Sequence, residues 1–198
     1  MQNLFYDYGE SLYANLTNKC PNRCEFCVRE TADGVGTAGS LFLDREPDAQ
    51  EAVSELLKRD PKKYKELVFC GYGEPTCTLS VLIETAKKAK ELGFKTRLNT
   101  NGLGSLVNEA SVPELLEGLI DAVSISMNAP SAKEYDDICH SEFGEGAFGA
   151  ILDFASSCKT HLPKVRFTVV DVIGEEKIEE CKRLAGELGV PLFVRRAL

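Results

Sequence analysis

Short apolar and β-branched runs alternate with amphipathic stretches along the whole chain. The apolar runs predict strands at 12–16, 67–71, 95–99, 122–127, 165–170 and 192–195. Helical periodicity predicts helices over 49–58, 79–92, 112–119, 148–158 and 177–188. In the second of these, Leu82, Ala86 and Ala89 share one side, and Lys87, Lys88, Lys90 and Glu91 supply solvated charge. Gly93 and Gly189 each follow a leucine where a helix C-terminal glycine belongs.

Strand–helix alternation implies a parallel sheet covered by helices, with right-handed crossovers. Six β/α units are visible in 198 residues. A closed eight-unit barrel normally needs about 250 residues. The expected fold is therefore α/β, a partial (β/α)6 TIM-like barrel, with residues 1–198 forming a single domain. No repeat, low-complexity segment or linker interrupts it, and the glycine-rich run at 33–39 reads as a mobile loop.

Composition narrows the function classes. The chain is 43% hydrophobic and 27% charged, as soluble globular proteins are. No window approaches the ~20 unbroken apolar residues of a membrane span. The N-terminus lacks the order of a signal peptide, so a cytoplasmic protein without a membrane partner is expected. A net charge of −8 argues against a broad nucleic-acid footprint, although it leaves room for a local basic patch. Eight cysteines without an export signal read as thiols and metal ligands, not as a disulfide framework.

Three of those cysteines carry the most chemistry. Cys20, Cys24 and Cys27 form a C-x3-C-x2-C run on one short segment after the first predicted strand. A structural zinc site closes with four ligands, and a fully protein-held iron–sulfur cluster also takes four cysteines. Three thiolates leave one position open for something other than protein. The competing reading is zinc completed by a distant ligand such as Cys77 or His140.

In parallel α/β folds, ligands bind beyond the carboxyl ends of the strands. The other motifs fall at such ends: Gly71-Tyr72-Gly73-Glu74-Pro75, then Asn99-Thr100-Asn101-Gly102, then Ser124-Ile125-Ser126-Met127-Asn128. Singly they are ordinary. Gly and Pro make turns, Asn-Gly is a common turn pair, and a serine in a strand is often a satisfied core polar group. In order on successive strand ends, however, they describe a polar cradle. Ser124, Ser126 and Asn128 share one face of an otherwise apolar strand.

These residues resemble the radical S-adenosylmethionine (radical SAM) superfamily. The resemblance covers essentially the whole chain: the cysteine triplet with Phe26 before its last member, the Gly-Gly-Glu-Pro-like run at 71–75, Thr-Asn-Gly at 100–102 and Ser-x-Asn at 126–128. A tighter resemblance is to the small radical SAM proteins associated with TatD-family nucleases, in the runs at 12–18, 68–75, 124–130 and 168–171. The resemblance implies that Cys20, Cys24 and Cys27, on a loop of about 18–45, hold a [4Fe–4S] cluster whose fourth iron is chelated by SAM. An external one-electron donor, flavodoxin- or ferredoxin-like, then drives cleavage to methionine and a 5′-deoxyadenosyl radical, which abstracts hydrogen from a small or macromolecular substrate.

By the same resemblance Phe26 packs near the adenine, Gly73 and Glu74 meet the methionine ammonium, and Asn99 and Asn101 reach the ribose or order the strand end. Ser126 and Asn128 contact the carboxylate or ribose, with Arg195 or Arg196 available to neutralise a carboxylate. Cys139-His140 is an ordinary loop pair, and Cys70 and Cys77 flank the cradle. Two other enzymes compete within the superfamily. A glycyl-radical-enzyme activase fits the small size. A 7-carboxy-7-deazaguanine synthase generally has Thr or Asp two residues after its third cysteine, where this chain has Arg29. From another class, a noncatalytic iron–sulfur or zinc-binding module remains.

Overall fold

The computed structural model describes residues 2–30, 34, 35 and 38–197. Asp33, Gly36 and Thr37 of the glycine-rich run, read above as a mobile loop, lie outside the described residues. Strands β1 (Phe5–Tyr8), β2 (Ser11–Ala14), β3 (Leu67–Phe69), β4 (Thr96–Thr100), β5 (Ala122–Ser126), β6 (Val165–Val170) and β7 (Leu192–Arg195) form one sheet in sequential order. From β2 to β7 every pairing is parallel, whereas β1 runs antiparallel to β2. The sheet is mostly parallel and not closed, with β1 and β7 as its edges. That is the partial barrel expected, with one strand more than the six units predicted.

The extra strand forms a hairpin. Gly9 takes φ +58°, a left-handed conformation that turns the chain between Tyr8 and Ser11. Phe5 and Tyr6 are buried by the return. Helices α1 (Ala49–Leu56), α2 (Leu79–Glu91), α3 (Gly104–Asn108), α4 (Val112–Leu115), α5 (Ala132–Cys139), α6 (Gly146–His161) and α7 (Glu175–Glu187) fill the connections. Of these, α3 and α5 were not anticipated. The start of α5 is marked by Ser131 and Glu134, the residue types of a capping box: the Glu134 N–H donates to the Ser131 hydroxyl, and that hydroxyl, in place of the backbone N–H, donates to the Glu134 carboxylate. Gly93 (φ +87°) and Gly189 (φ +63°) end α2 and α7 as expected.

The two faces of the sheet differ in kind. Leu12, Leu67, Phe69, Leu98, Val123, Ile125, Phe167 and Val169 are fully buried on the helix-covered face, within one continuous core. Each such side chain contributes about 1.5–3 kcal/mol relative to exposure. The alternate positions Tyr13, Arg97, Asn99, Ser126, Arg166 and Thr168 line the concave side. Asn99, Ser124 and Arg166 lie in one register row across β4, β5 and β6. A polar interior is what an alternating pattern on these strands requires once its apolar half faces the helices.

At the opposite end from the strand carboxyl termini, Asp121 ties α2 to the sheet. Its carboxylate meets Lys90 Nζ at 2.7 and 2.8 Å and accepts from the Thr96 N–H at 2.8 Å. Partial burial pushes its pKa up, but Lys90 and the Thr96 donors outweigh this and hold it below the ordinary carboxylate value. A depressed folded pKa means the stabilisation is present above the unfolded pKa and is lost as pH falls through the folded one. Asp121→Asn should therefore lower urea-measured stability by about 1 kcal/mol at neutral pH, a modest figure for a half-exposed pair. The native and variant curves should converge in acid below the carboxylate range.

Candidate functional site

The segment bearing the cysteines leaves the end of β2 and is clamped on two sides. On one side the Glu74 N–H donates to the Lys19 carbonyl at 2.7 Å. On the other, the end of α5 receives the loop: Arg23 N–H donates to Cys139 O at 2.9 Å and Glu25 N–H to Ile138 O at 3.0 Å. Asn22 Nδ2 donates to Tyr135 Oη at 2.7 Å in buried surroundings. Between Cys24 and Cys27 the chain closes a turn, with Cys27 N–H donating to Cys24 O at 3.1 Å.

Gly71 and Gly73 explain how the end of β3 comes so close to this segment. A Cβ at Gly73 would stand 2.3 Å from the Thr17 carbonyl oxygen and 2.6 Å from that of Lys19. One at Gly71 would stand 2.1 Å from Asn15 Oδ1. Only glycine permits this approach of backbone to backbone. Asn15 then locks the contact, its Oδ1 accepting from Tyr72 N–H at 3.1 Å and its Nδ2 donating to Leu41 O at 2.7 Å.

Glu74 is buried at the junction. Its Oε1 accepts from Thr76 N–H (3.1 Å), Thr76 Oγ1 (2.8 Å) and Thr100 Oγ1 (2.8 Å), and its Oε2 accepts from Asn101 N–H at 2.7 Å. Burial raises the carboxyl pKa, and these donors work against that rise. A carboxylate offers about four acceptor sites. The crowded Oε1 and the singly bonded Oε2 leave the remaining capacity on Oε2.

Phe26, Gly73, Glu74, Asn99, Asn101, Ser126 and Asn128 line the same cavity of ≈ 480 Å³ as Cys20, Cys24 and Cys27. Asn101 Oδ1 accepts from Leu103 N–H at 2.9 Å, so this residue orders its own strand end. Its Nδ2 lies 3.9 Å from Cys20 Sγ. Asn99 Oδ1 accepts from Arg97 Nη1 at 3.0 Å. Asn128 sits at φ +57°, a conformation asparagine tolerates, which turns the chain at the end of β5. Arg195, Arg196 and Cys70 also line the cavity; Cys77 lies in the 3-10 turn Pro75–Thr78 behind Glu74.

All three cysteines are free thiols. Among the described residues, no three His, Cys, Asp or Glu side chains are gathered closely enough to hold a metal ion in this conformation. The loop thus shares one cavity without its sulfurs closing on one point. Burial and the Glu74 carboxylate push the Cys20 thiol up to about 12, and burial raises Cys27. Cys24 is raised first by its hydrogen bond with Cys139 and then by burial. A bound cation reverses this balance by favouring thiolate. In donor type the set fits an iron–sulfur cluster: three soft ligands on one loop beside a polar cradle.

Sequence reasoning missed Thr76 and Thr100 as the supports of Glu74, and α5 as the platform of the loop. The Ser131-x-x-Glu134 capping box was a readable signal for α5. Cys139, treated there as part of a loop, is buried at the helix end, where Asn128 Nδ2 lies 3.9 Å from its sulfur. His140 stays outside the cavity lining, facing Glu25 at 3.3 Å.

Comparison with known proteins agrees with this architecture. The chain is 27% identical over 180 residues to the tungsten-containing aldehyde ferredoxin oxidoreductase cofactor-modifying protein of Pyrococcus furiosus, covering 88% of this chain and 46% of that protein. It is 33% identical over 132 residues to a Methanocaldococcus jannaschii protein provisionally named a glycyl-radical enzyme activating enzyme, covering 65% and 53%. The chain thus spans about half the length of these curated relatives. Streptococcus suis SuiB has a similar fold: its complex with the precursor peptide SuiA gives a TM-score of 0.69 at 18% identity, over 98% of this chain and 40% of SuiB. Its complex with S-adenosylmethionine gives 0.67 at 20% identity, over 94% and 38%. Residues 14–186 match the family model of the Radical SAM superfamily, from the end of β2 through most of α7. The chain belongs to the Radical SAM superfamily, whose chemistry draws on SAM and an iron–sulfur cluster.

Proposed function

We propose that this chain is the core of a radical SAM enzyme in which Cys20, Cys24 and Cys27 hold a [4Fe–4S] cluster and the neighbouring strand ends hold SAM. The observation that carries this reading is the common cavity: the three free thiols and all seven cradle residues line it. When bound, the cluster and SAM supply reductive cleavage to methionine and a 5′-deoxyadenosyl radical able to abstract hydrogen from substrate.

The protein's own part is binding and orientation. Glu74 Oε2 has acceptor capacity for an ammonium group, and Gly73 brings its backbone beside the cysteine loop. Ser126 and Asn128 offer polar contacts to the carboxylate or ribose, Asn99 and Asn101 to the ribose, and Phe26 an apolar face to the adenine. Residues 1–198 constitute a single core domain on this reading, cytoplasmic and served by a flavodoxin- or ferredoxin-like donor. The tighter kinship with TatD-associated radical SAM proteins is part of the same proposal and rests on sequence runs alone. A second reading, activation of a glycyl-radical enzyme, is favoured by the Methanocaldococcus jannaschii relative. A macromolecular substrate also fits SuiB, which was captured with a precursor peptide.

Anaerobic reconstitution with iron and sulfide, followed by dithionite and SAM, should yield 5′-deoxyadenosine and methionine. An intact cluster that yields neither would falsify the enzymatic reading and leave the noncatalytic module. Cys24→Ala should lose both the cluster absorbance and the cleavage.

Gly73→Ala tests the frame apart from the ligands. Because its Cβ meets backbone carbonyls, not a movable side chain, it should cost about 1–3 kcal/mol in urea denaturation and reduce iron loading. Gly93→Ala, with open space and φ +87°, should cost about 1–2 kcal/mol and leave iron loading at the native level.

A further inference from the structure

The concave face of the sheet carries more positive charge than its partners balance. Arg97 on β4, Arg166 on β6 and Arg195 on β7 line the cavity, joined at its rim by Arg196. Arg97 is structurally satisfied, since Nε and Nη2 donate to Glu66 at 3.1 and 2.9 Å and Nη1 to Asn99 at 3.0 Å. The other two are not. Arg166 makes one hydrogen bond, Nε to Ser124 Oγ at 2.7 Å, and Arg195 makes one, Nη2 to Thr168 Oγ1 at 3.2 Å. Among the described residues neither has an ion pair, although a guanidinium offers five donors. Glu74, the one carboxylate among the described lining residues, is already committed to Thr76, Thr100 and Asn101.

The arrangement is also oriented. The Arg166 guanidinium carbon lies over the Phe193 ring, 5.3 Å from its centroid, a cation–π contact that helps to place the group while its terminal nitrogens make no hydrogen bond to a protein acceptor. Depth separates it from the cysteine loop. Arg166 is in register with Ser124, one inward-facing position deeper than the Ser126–Thr168 row, about 7 Å along the strand. Arg195 reaches from the strand end back to Thr168. Burial first, then the neighbouring Arg97 and Arg195 guanidiniums, push the Arg166 pKa down, and the Glu66 carboxylate only partly offsets them. In a chain of net charge −8, an inward-facing cationic wall concentrates anions in the cavity instead of spreading attraction over the surface.

We propose that Arg166 and Arg195, backed by Arg97, form an anion subsite for the substrate, taking an oxyanion group that is either a phosphate or a carboxylate. The inference rests on the radical SAM reading only in calling the occupant a substrate; the anion binding stands by itself. Planar guanidiniums match the two-oxygen edge of either group. The subsite orients a substrate by its charged end and leaves the remainder toward the cradle.

Isothermal titration of the full chain with inorganic phosphate and, separately, with succinate tests this, each with and without saturating SAM. At least one anion should bind, more weakly as salt rises, and SAM should not displace it; the better of the two names the group. Arg166→Gln and Arg195→Gln should each weaken that anion about tenfold or more, the loss of one charge-assisted contact. Arg166→Lys should fall between, keeping charge without the fork. Lys182→Gln, on the exposed side of α7, should match the native protein. Circular dichroism confirms that each variant is folded. The subsite is refuted if neither anion binds below about 10 mM, if Arg166→Gln binds as tightly as native, or if SAM competes with the anion and so claims the arginines for its own carboxylate. Loss of SAM binding with arginine-dependent anion binding intact would overturn the radical SAM reading and leave the subsite standing.

Discussion

Glu74 carries hydrogen bonds from Thr76, Thr100 and Asn101 on its two oxygens, and its own N–H reaches across to Lys19. Through these contacts one buried residue joins the end of β3 and the end of β4 by its carboxylate, and the cysteine loop by its backbone N–H. Burial raises its pKa. Its donors oppose that, and each would be left unsatisfied in a buried place were the carboxylate removed, at about 1–3 kcal/mol per group. The glycines at 71 and 73 serve the same junction, because any side chain there would push the loop from the strand end. The cradle is therefore rigid for reasons internal to the fold. A residue first noticed as a partner for a ligand turns out to be equally a fastener of the strand ends.

The repeating part of the fold was legible because period-2 runs and helical runs differ in their burial needs. The six parallel strands and five of the helices register that difference directly, and the glycines at 93 and 189 mark true left-handed helix ends. The hairpin strand β1 was hidden because Phe5-Tyr6-Asp7-Tyr8 is too short to show alternation, and its pairing depends on a tight turn at Gly9. Helix α3 follows a loop glycine and spans only Gly104–Asn108, below the length at which periodicity can be read. α5 is different. Its capping box was present in the sequence, but the run Lys133-Glu134-Tyr135-Asp136-Asp137 is dominated by charge, and its buried face amounts to Tyr135 and Cys139.

Of the site, the cysteines and strand-end motifs were legible as types, because few roles bring three thiols within eight residues of one another. What could not be read was the support. Thr76 and Thr100 carry no spacing signature with Glu74, and the packing of Cys139 against Cys24 is a contact across 115 positions of chain. The Asn22–Tyr135 bond is equally remote in sequence. Such contacts set how firmly the loop is held and what surrounds its sulfurs, features that in metal sites generally act alongside the ligands.

The same alternation that buries the apolar half of each strand against helices obliges the other half to face inward. In an ordinary small barrel that inner half is filled by interdigitated branched side chains. Here it is Arg97, Asn99, Ser124, Arg166 and Thr168, and the sheet remains open at β1 and β7. A polar lining of this kind is costly when dry and unfilled, because donors without acceptors lose their hydration. The open edge and the cavity supply water in place of partners, at no gain in stability over an apolar filling. Retaining arginines there is thus a constraint that folding does not impose. Arg97 repays part of it through Glu66. Among the described residues Arg166 and Arg195 have no ion pair to do so, and the physical reason for keeping them is to be sought in what enters the cavity.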